Sequence, residues 1–142
     1  MIVLDTNVIS AAMRGPRADT GVRRWILTLP SRPVTTVINR AELLGGIAVL
    51  PPGHRRERLQ EAAQAALMGL AVCLPLTTSC AEHYADVIAT RRRLGRPIGG
   101  MDALVAAIVR ESGARLATRD TKDFEGLGLD LVNPWATDPP VS

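Results

Sequence analysis

A chain of 142 residues with 46% hydrophobic and 22% charged residues has the make-up of one soluble globular domain, which excludes disordered and fibrous classes. It is long enough to bury roughly 68–70% of its unfolded surface, so no disulfide or metal staple is required for folding. The net charge of +3 is mild and is carried almost wholly by arginine, Lys122 being the sole lysine; the guanidinium fork suits phosphate, but codon bias gives the same composition, and charge alone selects no function.

In chain order, the continuous apolar run Ile2-Val3-Leu4 predicts a strand covered on both faces, and Asp5-Thr6-Asn7 leads into a helical pattern over 8–13. Arg14-Gly15-Pro16-Arg17 breaks it, and a second helix follows over 19–29 with Val22, Trp25, Ile26 and Leu29 at helical spacing. After Pro30 and Pro33, residues 33–36 predict a short strand. The next helix is expected to bury Ile38, Ala41, Leu44 and Ile47, with Glu42 beside that face, until Pro51-Pro52-Gly53 ends it. An amphipathic outer helix then presents Leu59, Ala62, Ala63, Ala66, Leu67 and Leu70 inward and Arg55, Arg56, Glu57, Arg58 and Glu61 to solvent. A strand over 71–74, a helix over 79–94 closed by Gly95 and Pro97, and a helix over 101–112, apolar nearly all round and followed by Gly113, come next. Strands over 115–118 and 129–132 complete a domain of residues 1–135, with 136–142 as a loose tail.

Strands alternating with helices indicate an α/β fold, a three-layer α/β/α sandwich with a central, mostly parallel sheet. Ligands of such sheets bind beyond the carboxyl ends of the strands, the edge where Asp5 and Asp120 fall. No apolar stretch approaches the ~20 residues of a membrane-spanning helix, and the chain enters a strand at its start without the pattern of a signal peptide, so a cytoplasmic protein is expected. Cys73 and Cys80 form no metal-ligand spacing and are expected to be buried free thiols.

Four acids stand where this fold can gather them: Asp5 after the first strand, Glu42 within a helix, Asp102 at a helix start and Asp120 after a late strand, with Asp123 close behind. Convergent carboxylates suit a hard divalent cation, and such a cation suits phosphate chemistry. Each also has a simpler explanation. Asp5 and Asp102 fit helix caps, and Asp120 and Asp123 fit a polar turn. Glu42 is harder to explain that way, because a carboxylate bordering an apolar face is costly unless it pairs or binds a cation. The spacing leaves these readings open.

Four segments, Ile2-Val3-Leu4-Asp5-Thr6-Asn7-Val8-Ile9, Asn39-Arg40-Ala41-Glu42-Leu43, Arg96-Pro97-Ile98-Gly99-Gly100-Met101-Asp102-Ala103-Leu104 and Leu116-Ala117-Thr118-Arg119-Asp120-Thr121-Lys122-Asp123-Phe124, occur in the order and spacing of the PIN-domain ribonucleases. The chain resembles that family from Ile2 to Trp135, and within it the VapC and FitB toxins. The resemblance implies an endoribonuclease dependent on Mg²⁺ or Mn²⁺, an RNA substrate, a cognate antitoxin whose C-terminal segment occupies the active-site groove, and a homodimer. It places the family's acids on Asp5, Glu42, Asp102 and Asp120, with Asp123 as the alternate fourth, and assigns supporting polar roles to Thr6, Asn7 and Thr118.

Arg91, Arg92 and Arg93 close a helix C-terminus, where cations suit the macrodipole; the functional reading makes them a phosphate-contacting rim. Arg14, Arg17, Arg23 and Arg24 suit contacts to antitoxin or RNA. With aromatics at 3%, stacking platforms of the RRM or OB type are missing, and Trp25 and Trp135 are expected to serve packing. His54 and His83 have no partner suggesting a triad or zinc. An aspartate-nucleophile phosphatase is disfavoured, because Asn7 stands where that class has a second Asp. A constitutive RNA-processing nuclease and a non-catalytic α/β binding module are the remaining alternatives.

Overall fold

The computed structural model describes residues 1–14 and 20–136. Its elements are β1 (Ile2–Leu4), α1 (Thr6–Ala12), α2 (Thr20–Leu27), β2 (Thr35–Thr36), α3 (Val37–Ala48), α4 (His54–Met68), β3 (Cys73–Leu74), α5 (Cys80–Arg93), α6 (Gly100–Ser112), β4 (Arg115–Ala117), a 3₁₀ turn (Thr121–Phe124) and β5 (Leu131–Val132). The break at 15–17, the start of α2 at Asp19, Arg17 and the tail beyond Ala136 lie outside the described residues.

All strand pairs are parallel. The ladders β1-β4-β5 and β2-β3 are joined by a bridge between Val3 and Val34, in which the Leu4 N–H donates to the Val34 carbonyl at 2.8 Å and the Val34 N–H to the Ile2 carbonyl at 2.9 Å. The spatial order is therefore β3-β2-β1-β4-β5. The chain winds outward from β1 in one direction and then resumes on its other side at β4. That reversal opens a crevice beyond the carboxyl ends of β1 and β4.

Strand alternation sends successive side chains to opposite faces, and each face has its own core. Val3, Leu116 and Leu131 join the cluster formed by α5 and α6, with Val87 and Val105 to Val109 at its centre. Ile2, Leu4, Ala117 and Val132 join the other, with Val8, Ile9, Val22, Leu43, Ile47 and Ala63 from α1 to α4. These two clusters are the two interfaces of the expected three-layer sandwich. Helix α6 is buried through its middle, at Ala103 and from Val105 to Val109, and stops where Gly113 takes a left-handed φ of 66°. Phe124, 1% exposed, anchors the turn after β4 in the first cluster; truncating a buried Phe to Ala costs about 3–5 kcal/mol.

Three local expectations are corrected. Helix α3 buries Ile38, Asn39, Leu43 and Ile47, while Ala41 and Leu44 face solvent. The buried stripe follows the i+4 row through Asn39, a polar residue that an apolar-pattern reading passes over. Cys73 is exposed, because β3 is the outermost strand of the sheet, whereas Cys80 is buried. Arg56 is half-buried rather than solvated, and its Nη1 donates to the Leu50 carbonyl at 3.4 Å, beyond the end of α3.

Candidate active-site cleft

Asp5 occupies the first position after β1. Its backbone N–H continues the ladder to the Ala117 carbonyl at 2.9 Å, which fixes the residue at the sheet edge. Its carboxylate, 6% exposed, is held by three donors: the Thr6 N–H (2.9 Å) and Asn39 Nδ2 (2.8 Å) to Oδ1, and Thr118 Oγ1 (2.7 Å) to Oδ2. Asp5 thus caps α1, as the simpler reading held, while also lining the cleft. Burial raises its pKa, the bonds from Thr118, Thr6 and Asn39 oppose that rise, and the charge of Asp120 adds to it.

Asn39, fully buried, is the hub of this corner and has no sequence-derived role. Thr36 caps α3 by accepting from the Asn39 N–H (3.2 Å), and its hydroxyl donates to Asn39 Oδ1 (2.7 Å). That orients the amide so that Nδ2 reaches both Asp5 Oδ1 and Thr6 Oγ1, the latter at 3.1 Å. The available signal is local: Thr36 three residues before Asn39 has the spacing of a capping box.

Across β4, Thr118 Oγ1 also accepts from the Asp120 N–H (3.1 Å) and from Asn7 Nδ2 (3.4 Å). Asn7 further donates to Asp120 Oδ2 (3.1 Å) and accepts the Arg119 N–H on Oδ1 (3.2 Å). Asn7 and Thr118 therefore tie Asp5 and Asp120 together, while Thr6 bonds to Asp5 alone of the two acids. Glu42 projects from α3 one turn after Ile38. Its pKa is raised by burial and by the charges of Asp5 and Asp102, and is lowered by the Thr6 hydroxyl.

Asp102 is the third residue of α6, whose cap is Gly99, so the capping explanation does not apply to it. It is half-buried and accepts no hydrogen bond among the described residues. Burial, then the charges of Asp5, Asp123 and Asp120, push its pKa up to about 6. Asp5, Glu42, Asp102 and Asp120 line one cleft of about 610 Å³, together with Arg14, Arg119 and Trp135. Asp123 is exposed and is not among the lining residues, although its charge reaches Asp102.

Among the described residues, none of the four acids is ion-paired; the acids that pair with arginine are Asp86, Glu125 and Asp130, elsewhere on the surface. Nor do any three His, Cys, Asp or Glu side chains among the described residues already close around one metal-sized point. The carboxylates line the cleft from separate elements. The donor set fits a hard divalent cation, which prefers carboxylate oxygens and would offset the burial and the mutual repulsion that raise the pKa values of Asp5, Glu42 and Asp102.

Two expectations about other residues are corrected. Arg91 is 4% exposed, and its Nη1 donates to the Lys122 (3.2 Å) and Glu125 (2.8 Å) carbonyls. It clamps the segment after Asp120 and is not part of an exposed phosphate rim; Arg92 and Arg93 remain exposed. Trp135 packs against the second core cluster as expected, but it also lines the cleft with Arg119, and sequence reasoning assigned neither residue to the site.

The PIN domain family matches residues 2–128. A VapC ribonuclease of Sinorhizobium fredii is 39% identical over 140 residues, spanning 95% of this chain and 98% of that protein. The toxin FitB of Neisseria gonorrhoeae is 33% identical over 138 residues, spanning 95% and 99%. The crystal structure of FitAcB from Neisseria gonorrhoeae superposes with a TM-score of 0.86 at 31% identity, covering 96% of this chain and all of that one.

Proposed function

The chain belongs to the PIN-domain family, and from that premise we propose that it is a Mg²⁺- or Mn²⁺-dependent endoribonuclease, the toxin of a toxin–antitoxin pair. The observation that carries the reading is the gathering of Asp5, Glu42, Asp102 and Asp120, all without cationic partners among the described residues, in one cleft at the switch point of the sheet. A module whose acids serve only as caps has no reason to leave Asp102 uncapping and unpaired beside three like charges.

In this reading Asp5, Asp102, Glu42 and Asp120 hold the cation, with Asp123 as the alternate fourth acid. When bound, it supplies a Lewis acid that activates water and offsets charge on the phosphodiester oxygens. The protein supplies placement. Thr6, Asn39 and Thr118 fix the Asp5 carboxylate and oppose the rise in its pKa that burial imposes. Asn7 holds Asp120 on the same wall. Asp102, at the first turn of α6, completes the ring from the opposite layer. No covalent enzyme intermediate is required.

The toxin assignment is supported by the likeness to VapC and FitB over nearly the whole chain, and it carries with it a cognate antitoxin, a homodimer through the outer helices and a cytoplasmic setting. No helix among the described residues is long and apolar enough to cross a membrane. Incubation of the purified chain with a defined RNA panel tests the activity. Cleavage with Mg²⁺ and none with EDTA is expected; intact RNA under both conditions, or equal cleavage in EDTA, contradicts it.

A further inference from the structure

The cleft wall next to Asp120 carries a cation that the cleavage chemistry leaves unused. Arg119 is anchored through its backbone N–H, which donates to Asn7 Oδ1 at 3.2 Å, and its guanidinium carbon stands 4.9 Å from the centroid of the Trp135 ring. Trp135 is itself held, half-buried against the second core cluster, with its backbone N–H donating to Asn133 Oδ1 at 3.0 Å. The ring offers the guanidinium a π surface and no hydrogen-bond acceptor, so its five N–H donors have no hydrogen-bonded partner among the described residues. The contrast with Arg96, Arg110 and Arg115 is direct, since each of those is bonded to a carboxylate. Among the described residues the Arg119 side chain has no such partner, although acids line the same cleft. Its fork is thus held in place by an aromatic face and remains available to an anion.

We propose that Arg119, seated on Trp135, is a positioning residue that grips a backbone phosphate of the RNA strand next to the one presented to the carboxylates. The inference rests on the ribonuclease reading and deepens it. A strand crossing this cleft brings one phosphate to the acids and the cation they hold, and leaves its neighbour facing a planar fork that matches phosphate oxygens bidentately.

Steady-state cleavage of a labelled single-stranded RNA by the full chain with Mg²⁺, at two salt concentrations, tests it. In Arg119→Ala, KM rises about tenfold while kcat stays within about twofold, as for a contact made equally in ground and transition states. The log–log salt slope falls by about 0.7, the value for one phosphate on a single strand. Arg119→Lys recovers part of the loss, keeping the charge without the fork. Trp135→Leu raises KM by about threefold alone and adds nothing in the Arg119→Ala background, because the ring acts through the guanidinium; Trp135→Phe keeps a ring face and stays near wild type. A folded Arg119→Ala protein with wild-type KM and salt slope, alongside an active wild type, overturns this inference and spares the ribonuclease reading. A wild-type chain that cleaves no RNA overturns both.

Discussion

The two walls of the cleft are built on opposite principles. On the β1, α3 and β4 wall, Asp5 is buried yet supplied with three donors, and the residues behind it, Asn39, Thr36 and Thr118, are fully buried: Thr36 bonds to Asn39, and Asn39 and Thr118 each donate to Asp5. On the α6 wall, Asp102 projects from an apolar helix with no donor among the described residues, and burial, then the charges of three acids, raise its pKa. One wall fixes geometry; the other stores electrostatic repulsion that a cation relieves. Substitutions on the two walls are therefore expected to affect activity alike and stability oppositely.

The largest effect is expected from Asp5→Asn. Loss of several kcal/mol of charge stabilisation lowers metal-dependent RNA cleavage by at least about a thousandfold. The fold survives, since the amide keeps an acceptor for Asn39 and Thr6 and only the bond from the Thr118 hydroxyl is lost. Circular dichroism together with a gel cleavage assay checks both halves; full activity in the folded variant removes Asp5 from the mechanism.

Next comes Asn39→Ala, which leaves Asp5 intact but takes away its positioning donor. Activity should fall about 10- to 100-fold, with a stability loss of about 1–3 kcal/mol from the orphaned buried groups, measured by denaturant titration. Unchanged kinetics would show that Asp5 needs no such support. Arg91→Ala should destabilise by about 2 kcal/mol through the lost bonds to the Lys122 and Glu125 carbonyls, while Arg92→Ala leaves thermal unfolding unchanged. Equal melting temperatures for these two variants would refute the clamp.

The smallest expected effect carries the sharpest sign. A folded pKa of about 6 for Asp102, above its ordinary value of 3.8, means that the folded state holds this proton more tightly than the unfolded chain. The associated stability is fully present below the unfolded pKa and is lost as pH rises through about 6. The metal-free protein should therefore weaken between about pH 4 and 7, and Asp102→Asn should flatten that decline. Because Asp102 is only half-buried, solvent screening reduces the gain at pH 7 to about 1 kcal/mol. Thermal scans in EDTA across this range measure it; a less stable Asp102→Asn at pH 7 would mean that the two walls do not differ as described.

Much of this was legible in the sequence, for physical reasons. Doubly covered strands produce unbroken apolar runs, so β1 and the layered architecture followed from Ile2-Val3-Leu4 and the alternating helices, and the Asp5 and Asp120 positions followed from strand ends. Asn39 was not legible, because its burial depends on donors and acceptors from β1, β2 and α1 that only folding assembles. Arg91 misled for a related reason: a basic run at a helix end looks solvated until a neighbouring loop offers it carbonyls. The pairing of Arg119 with Trp135 joins residues on either side of β5, and no local periodicity encodes it. The gathering of the acids around one cleft was expected; that Arg14, Arg119 and Trp135 share its lining was not encoded in the spacing.

Calorimetric titration of the metal-free chain with Mn²⁺, repeated on Asp102→Asn, addresses the central claim that these acids pool their charge to capture a cation. A saturable site in the wild type that disappears in the variant is the predicted result. No binding heat in the wild type, or the same isotherm in both proteins, would contradict it.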